Sequence, residues 1–178
     1  MSRRVLLSRI SILASISIGL GIVQTTPAQT TPAQTPAPAT LTVSGDVTTP
    51  LTLKAEDLAK MPHEKATVPE QDGTTVEYEG VPLVEILKRA GAPTGNQLRG
   101  KALASYILAK AHDGYEVVFT LAEVDAAFAN EKILVADKRD GKPLFGYQGP
   151  LRLTCPGDKA GARSVRMLES IEVVRLLK

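Results

Sequence analysis

An α+β fold with mixed sheets and short helices is predicted by three features of this 178-residue chain. Residues 40–178 carry many short apolar or alternating runs bounded by Gly, Pro and Asp; one run has helical periodicity with clear start and stop signals; and no βαβ unit repeats. Gly-x-Gly-x-x-Gly and Walker-type phosphate loops are missing, which leaves dinucleotide and P-loop readings without support.

Taken in order, Thr40 to Val43 alternates as an opening strand, and Leu51 to Leu53 follows the Gly45-Asp46 turn. Ala55 to Lys60 is a short helix ended by Met61-Pro62, because the residue before proline is pushed out of the helical region. Residues 64–69 and 74–79 read as strands joined by Gln71-Asp72-Gly73, a hairpin turn. Pro82 to Ala90 is the clearest helix. Pro82 suits its first position, Leu83, Ile86, Leu87 and Ala90 share a face, and Gly91 and Pro93 stop it.

Ser105 to Lys110 and Tyr115 to Phe119 flank His112-Asp113-Gly114 as a second hairpin. Leu121 to Phe128 is predicted as a helix, with Thr120 and Glu123 at capping-box spacing. Ile133 to Asp137 is an apolar strand before the Arg139-Asp140-Gly141 turn, and Leu151 to Thr154 and Ser170 to Leu176 are the last strands.

The first 39 residues read as a signal peptide and spacer, leaving 40–178 as one domain. Arg3, Arg4 and Arg9 flank the start of an apolar run, Ile10 to Val23, that is short for a membrane span and suits a secretory signal; an uncleaved anchor is the alternative. Arg3-Arg4 also fits twin-arginine export. The repeated Thr-Pro-Ala-Gln-Thr is a spacer, with cleavage sites at Ala28 and Ala37-Pro38-Ala39. A periplasmic or secreted protein is expected, with no membrane association after cleavage. Removing the three arginines leaves 18 of 21 basic residues against 19 acidic ones. A near-neutral domain argues against nucleic acid as a partner. Cys155 is the only cysteine, which excludes an internal disulfide, a CxxCH haem site and a thiolate-held cluster.

Chemistry concentrates near the C-terminus. Gly149-Pro150-Leu151-Arg152-Leu153-Thr154-Cys155-Pro156-Gly157 leads to Gly161-Ala162-Arg163-Ser164-Val165-Arg166, so guanidinium forks stand beside glycines that admit a ligand to the backbone. Such spacing suits a phosphorylated small molecule. With Gly80-Val81-Pro82-Leu83 and Gly141-Lys142-Pro143-Leu144 in the same order, this run resembles the sulfite oxidase-type molybdopterin-binding domain family across most of residues 40–178. The resemblance implies the sulfite oxidase-like molybdopterin-binding fold and a molybdopterin cofactor. It places Arg152, Arg163, Ser164, Val165 and Arg166 against the pterin and its phosphate, Arg166 replacing the usual lysine. Gln148 stands where several members carry histidine.

The same resemblance implies a metal-binding cysteine before the Gly-Val-Pro-Leu segment, yet residues 66–73 contain none. Cys155 falls in the terminal strand, where a small buried residue is expected. No catalytic or metal-ligating residue is therefore assigned. His63 with Glu64 and His112 with Asp113 read as solvated residues beside turns, not ligands, and Glu70, Asp72, Glu77 and Glu79 as the wet face of a hairpin. Two functions fit. One is an exported pterin-binding domain, an oxidoreductase-like module needing an external redox partner. The other is a non-catalytic periplasmic module for another anionic small molecule or a protein.

Overall fold

The computed structural model describes residues 39–70 and 73–176. The leader and spacer through residue 38, and Gln71 and Asp72 of the first hairpin turn, lie outside the described residues.

Two five-stranded sheets carry the fold. In the first, strands β1 (Thr40–Gly45), β2 (Leu51–Lys54), β5 (Ser105–Ala111), β6 (Glu116–Thr120) and β10 (Leu168–Arg175) run in the order β2-β1-β10-β5-β6. Only β1 and β10 pair in parallel, so the first and last strands lie side by side at its centre. In the second, β3 (Glu64–Pro69), β4 (Thr75–Pro82), β7 (Leu134–Arg139) and β8 (Lys142–Pro143) pair in that order, and β9 (Arg152–Thr154) also pairs with β7. The mixed sheets agree with the α+β expectation.

Alternation fixes the faces. In β5, Ile107, Ala109 and Ala111 point inward, opposite Val117 and Phe119 of β6 and beside Ile171 and Val173 of β10, because successive side chains leave a strand on opposite sides. Helix α2 (Leu83–Arg89) adds Leu83, Ile86 and Leu87, all fully buried, each contributing about 1.5–3 kcal/mol by removal from water. Pro82 ends β4 with extended ψ 131° and stands as the N-cap of α2, one position earlier than expected. Helix α1 (Ala55–Leu58) is a single turn.

The predicted 121–128 helix does not form; this segment is a series of turns. The capping-box bonds are nevertheless present, with the Glu123 amide donating to Thr120 Oγ1 (3.2 Å) and the Thr120 amide to Glu123 Oε2 (2.9 Å). Asp125 breaks the helix. Its buried carboxylate accepts from the amides of Ala127 (2.9 Å) and Gly95 (2.5 Å), replacing helical bonding with a local Asx turn tied to another loop.

A smaller second core of Val76, Tyr78, Ala136 and Leu144 lies on the other face of β4 and β7. β4 and β7 approach closely at Gly80, where a Cβ would strike the Val135 carbonyl and Ala136 Cα. The β7–β8 turn has Asp140 and Gly141 at φ 50° and 73°, a left-handed pair suited to a tight hairpin. Arg139, the last residue of β7, stands in register with Tyr78 of this second core.

Candidate functional site

Strand β9 sorts the C-terminal motif onto two faces. Leu153 and Cys155 enter the large core, whereas Arg152 leaves the opposite face beside the second core. Its guanidinium lies 4.9 Å from the centre of the Tyr78 ring, and Arg152 is only 7% exposed. Nη1 donates to Gln148 Oε1, a neutral partner. Arg152 Nε and the Tyr78 hydroxyl are buried with no hydrogen-bond partner among the described residues. Burial first, with the nearby charges of Arg166 and Arg139, pushes the Arg152 pKa down against the opposing pull of Tyr78 and Glu70. Burial pushes the Tyr78 phenol up against the opposing pull of Arg152. A buried cation with no carboxylate bonded to it and an orphaned donor is costly unless an anion arrives.

Arg166 is exposed and stacks 5.2 Å from the Tyr147 ring. It lines a small polar cleft with Ser164, Gly161, Ala162, Tyr115 and Asp113, while Tyr147 lines a larger one with Arg139, Lys142, Phe145 and Gln148. The larger cleft has a volume of about 510 Å3, within the range that holds small ligands. Phe145 and Tyr147 are 62% and 66% exposed, unusual for aromatic rings and suited to a planar ligand.

The remaining predicted residues divide. Ser164 is buried, and its hydroxyl accepts from the Cys155 amide at 3.4 Å. Val165 has its side chain in the large core, and its carbonyl accepts from the Leu153 amide at 2.8 Å. Arg163 is turned away from Arg152 and Arg166: its fork grips Asp158 (Nε–Oδ2 2.9 Å, Nη2–Oδ1 2.5 Å), Nη1 donates to Glu123, and the group stacks on Phe119. Gln148 and Arg152 thus meet directly, Arg166 lies over the neighbouring Tyr147 and lines an adjacent cleft with Ser164, and Arg163 and Val165 point elsewhere.

Three contributors escape the sequence reading. Tyr78, Tyr147 and Arg139 join the site only through the fold; Arg139 carries weak 3.7 Å pairs with Glu70 and Asp140. Tyr78 had a faint signal in its period-two spacing from Val76. His63 also departs from expectation: its ring nitrogens meet the Met61 carbonyl (2.9 Å) and Asp137 Oδ2 (3.3 Å), because β7 passes beside the loop after α1.

The residues fit the two parts of a metallopterin unequally. Uncompensated Arg152 and Arg166, with the orphaned Nε, suit a phosphate-bearing pterin. The metal's thiolate is not matched: Cys155 lies on the face opposite Arg152, donates weakly to the Arg163 carbonyl (3.7 Å), and burial pushes its thiol up to about 12. Among the described residues, no group of three or more His, Cys, Asp or Glu side chains is placed to hold a metal.

A buried cation beside two mixed sheets characterises this α+β domain. A family model described as "Oxidoreductase molybdopterin binding domain" matches residues 28–176, and the chain belongs to that family, whose members bind molybdopterin. The sulfane dehydrogenase SoxCD from Paracoccus pantotrophus is similar in structure, with TM-score 0.60 and 21% identity. The match covers 76% of this chain and 38% of that one, so the chain spans well under half of that neighbour's length. That likeness gives the fold, the sulfite oxidase-like arrangement expected from the sequence. No curated protein matches the chain.

Proposed function

We propose that the chain is an exported molybdopterin-binding domain that holds the cofactor by its phosphorylated end and does not perform oxo transfer by itself. Arg152 carries the reading: it is almost fully buried, has no carboxylate partner among the described residues, and keeps an orphaned Nε. Arg166 and Ser164 complete an anion grip, Gln148 orients the Arg152 fork, and the cleft beside Phe145 and Tyr147 admits a flat ring.

When bound, the metallated pterin supplies two-electron oxo-transfer chemistry. This chain's residues bind and orient the organic part. With no cysteine in residues 66–73 and Cys155 facing the large core, they offer no thiolate to fix a metal's geometry. A redox role then needs an external partner, since the chain has no haem or cluster motif. The missing thiolate also favours a second reading, a periplasmic module that kept the anion grip for another phosphorylated small molecule or a protein.

Export rests on Arg3, Arg4 and Arg9 at the head of the Ile10 to Val23 run. Fractionation with N-terminal sequencing should find a mature chain outside the cytoplasm that starts between about Gln29 and Thr40, the bounds set by the small-residue cleavage sites. Mass spectrometry and metal analysis of ligand released from that protein should find a phosphorylated pterin. Release of a different phosphorylated compound favours the second reading, and recovery of full-length chain only from the cytosol sinks export.

A further inference from the structure

Each nitrogen of the Arg163 guanidinium donates to an internal carboxylate. Nε and Nη2 form a bidentate fork with Asp158, Nη1 donates to Glu123, and one face lies 5.1 Å from the Phe119 ring centre. Glu123 is itself held ready by the Thr120 amide (2.9 Å) and hydroxyl (3.0 Å). Asp158 and Arg163 close a loop whose ends are already tied. The Asp158 amide donates to the Cys155 carbonyl (3.2 Å), and the Cys155 thiol and amide reach the Arg163 carbonyl and Ser164 Oγ. On the far side, the Tyr115 hydroxyl donates to the Ala162 carbonyl at 2.6 Å.

Resting on the pterin reading above, we infer that Arg163 is a positioning residue: it clamps the 156–164 loop to Glu123 and Phe119 so that Ser164 and Arg166 face the anion, and it does not touch the ligand. A ligand that took Arg163 as its main cation would compete with two carboxylates, one of them held in a matched fork. Arg152 and Arg166 involve no such competition, since neither is paired with a carboxylate among the described residues. The two bonds that bracket Arg163, from Tyr115 to Ala162 and between Cys155 and Ser164, hold the adjoining backbone on either side of the clamp.

The test is a double-mutant cycle on the full chain with inorganic phosphate as probe, using Arg163→Ala, Asp158→Asn and the double variant. Calorimetry reads affinity at several salt concentrations, and hydrogen exchange reads the amides of residues 157–164. A positioning role gives about tenfold weaker binding in each single variant, no further loss in the double, an unchanged salt dependence, and faster exchange confined to the loop. A contact role gives the opposite pattern: Asp158→Asn binds as well as or better than wild type, and Arg163→Ala flattens the salt dependence. That result overturns the inference, as do loop amides that exchange no faster in either variant. A wild type that takes up no phosphate contradicts the pterin reading instead, and the clamp is then decided by the exchange rates alone.

Discussion

Arg152 and Arg163 stand eleven positions apart in one motif, yet their surroundings are opposite. Arg152 is buried against Tyr78, bonded only to a neutral amide, and its pKa is depressed by burial. Arg163 is about 38% exposed in its side chain, flanked by two carboxylates, and its pKa is raised by the Asp158 and Glu123 bonds. Chemical type is the same and both belong to one motif, so the difference lies in the partners. An uncompensated buried cation is a site waiting for charge, whereas a compensated one is architecture.

The sharpest way to break this contrast is to neutralise each arginine in turn. Arg152→Met keeps the volume against Tyr78 and removes an unpaired buried charge. It should abolish phosphate and pterin binding while raising the stability of the ligand-free protein by about 1–3 kcal/mol, checked by calorimetry and denaturant unfolding. Arg163→Met should act the other way on stability. It leaves Asp158 and Glu123 facing each other without a cation, and a loss of about 1–2 kcal/mol is expected, limited by partial exposure. If both variants shift stability in the same direction, the distinction between the two arginines fails.

Cys155→Ser probes the face opposite Arg152. The cofactor content should not change, and stability should fall by about 1 kcal/mol, because a hydroxyl is buried but keeps the Arg163 carbonyl as acceptor. With its thiol pushed up to about 12, Cys155 in the folded protein should also resist alkylation at pH 8. Sulfite or sulfoxide turnover abolished by this substitution would show that the thiol reaches a metal.

The smallest expected effect is a pH dependence of the clamp. Burial pushes the Glu123 carboxyl up, but the Thr120 and Arg163 bonds outweigh it and hold the group below its ordinary value. A depressed carboxyl contributes stability that is complete above the unfolded value of about 4.3 and is lost as pH falls through the lower folded value. The difference in Tm between wild type and Glu123→Gln should therefore shrink below about pH 4 and stay constant above about pH 6. A difference that grows on acidification would contradict the assigned bonds.

Local chemistry made much of this fold legible. The β5–β6 hairpin and the Arg139-Asp140-Gly141 turn after β7 follow from glycines, though the two-residue strand β8 escapes the sequence reading, and α2 follows from the spacing of Leu83, Ile86 and Leu87 between Pro82 and Gly91. The 121–128 segment misled because the Thr120–Glu123 box is a real local signal, while the rival claim on Asp125 comes from Gly95, a distant loop. The site was half legible for the same reason. Gln148, Arg152 and Arg166 lie close in sequence, but Tyr78 and Arg139 arrive through the β4–β7 register, and the role of Arg163 depends on Glu123, forty residues away. Sequence spacing places donors near one another; it does not reveal which carboxylates will neutralise them.

The most direct measurement is thermal unfolding of wild type and Arg152→Met, free of pterin, across a phosphate titration. Ligand that binds only the folded state raises Tm with concentration. Wild type should start lower and climb with phosphate, while Arg152→Met should start higher and stay flat. A variant that starts lower than wild type and climbs in parallel with it would contradict the claim that Arg152 is held uncompensated for an anion.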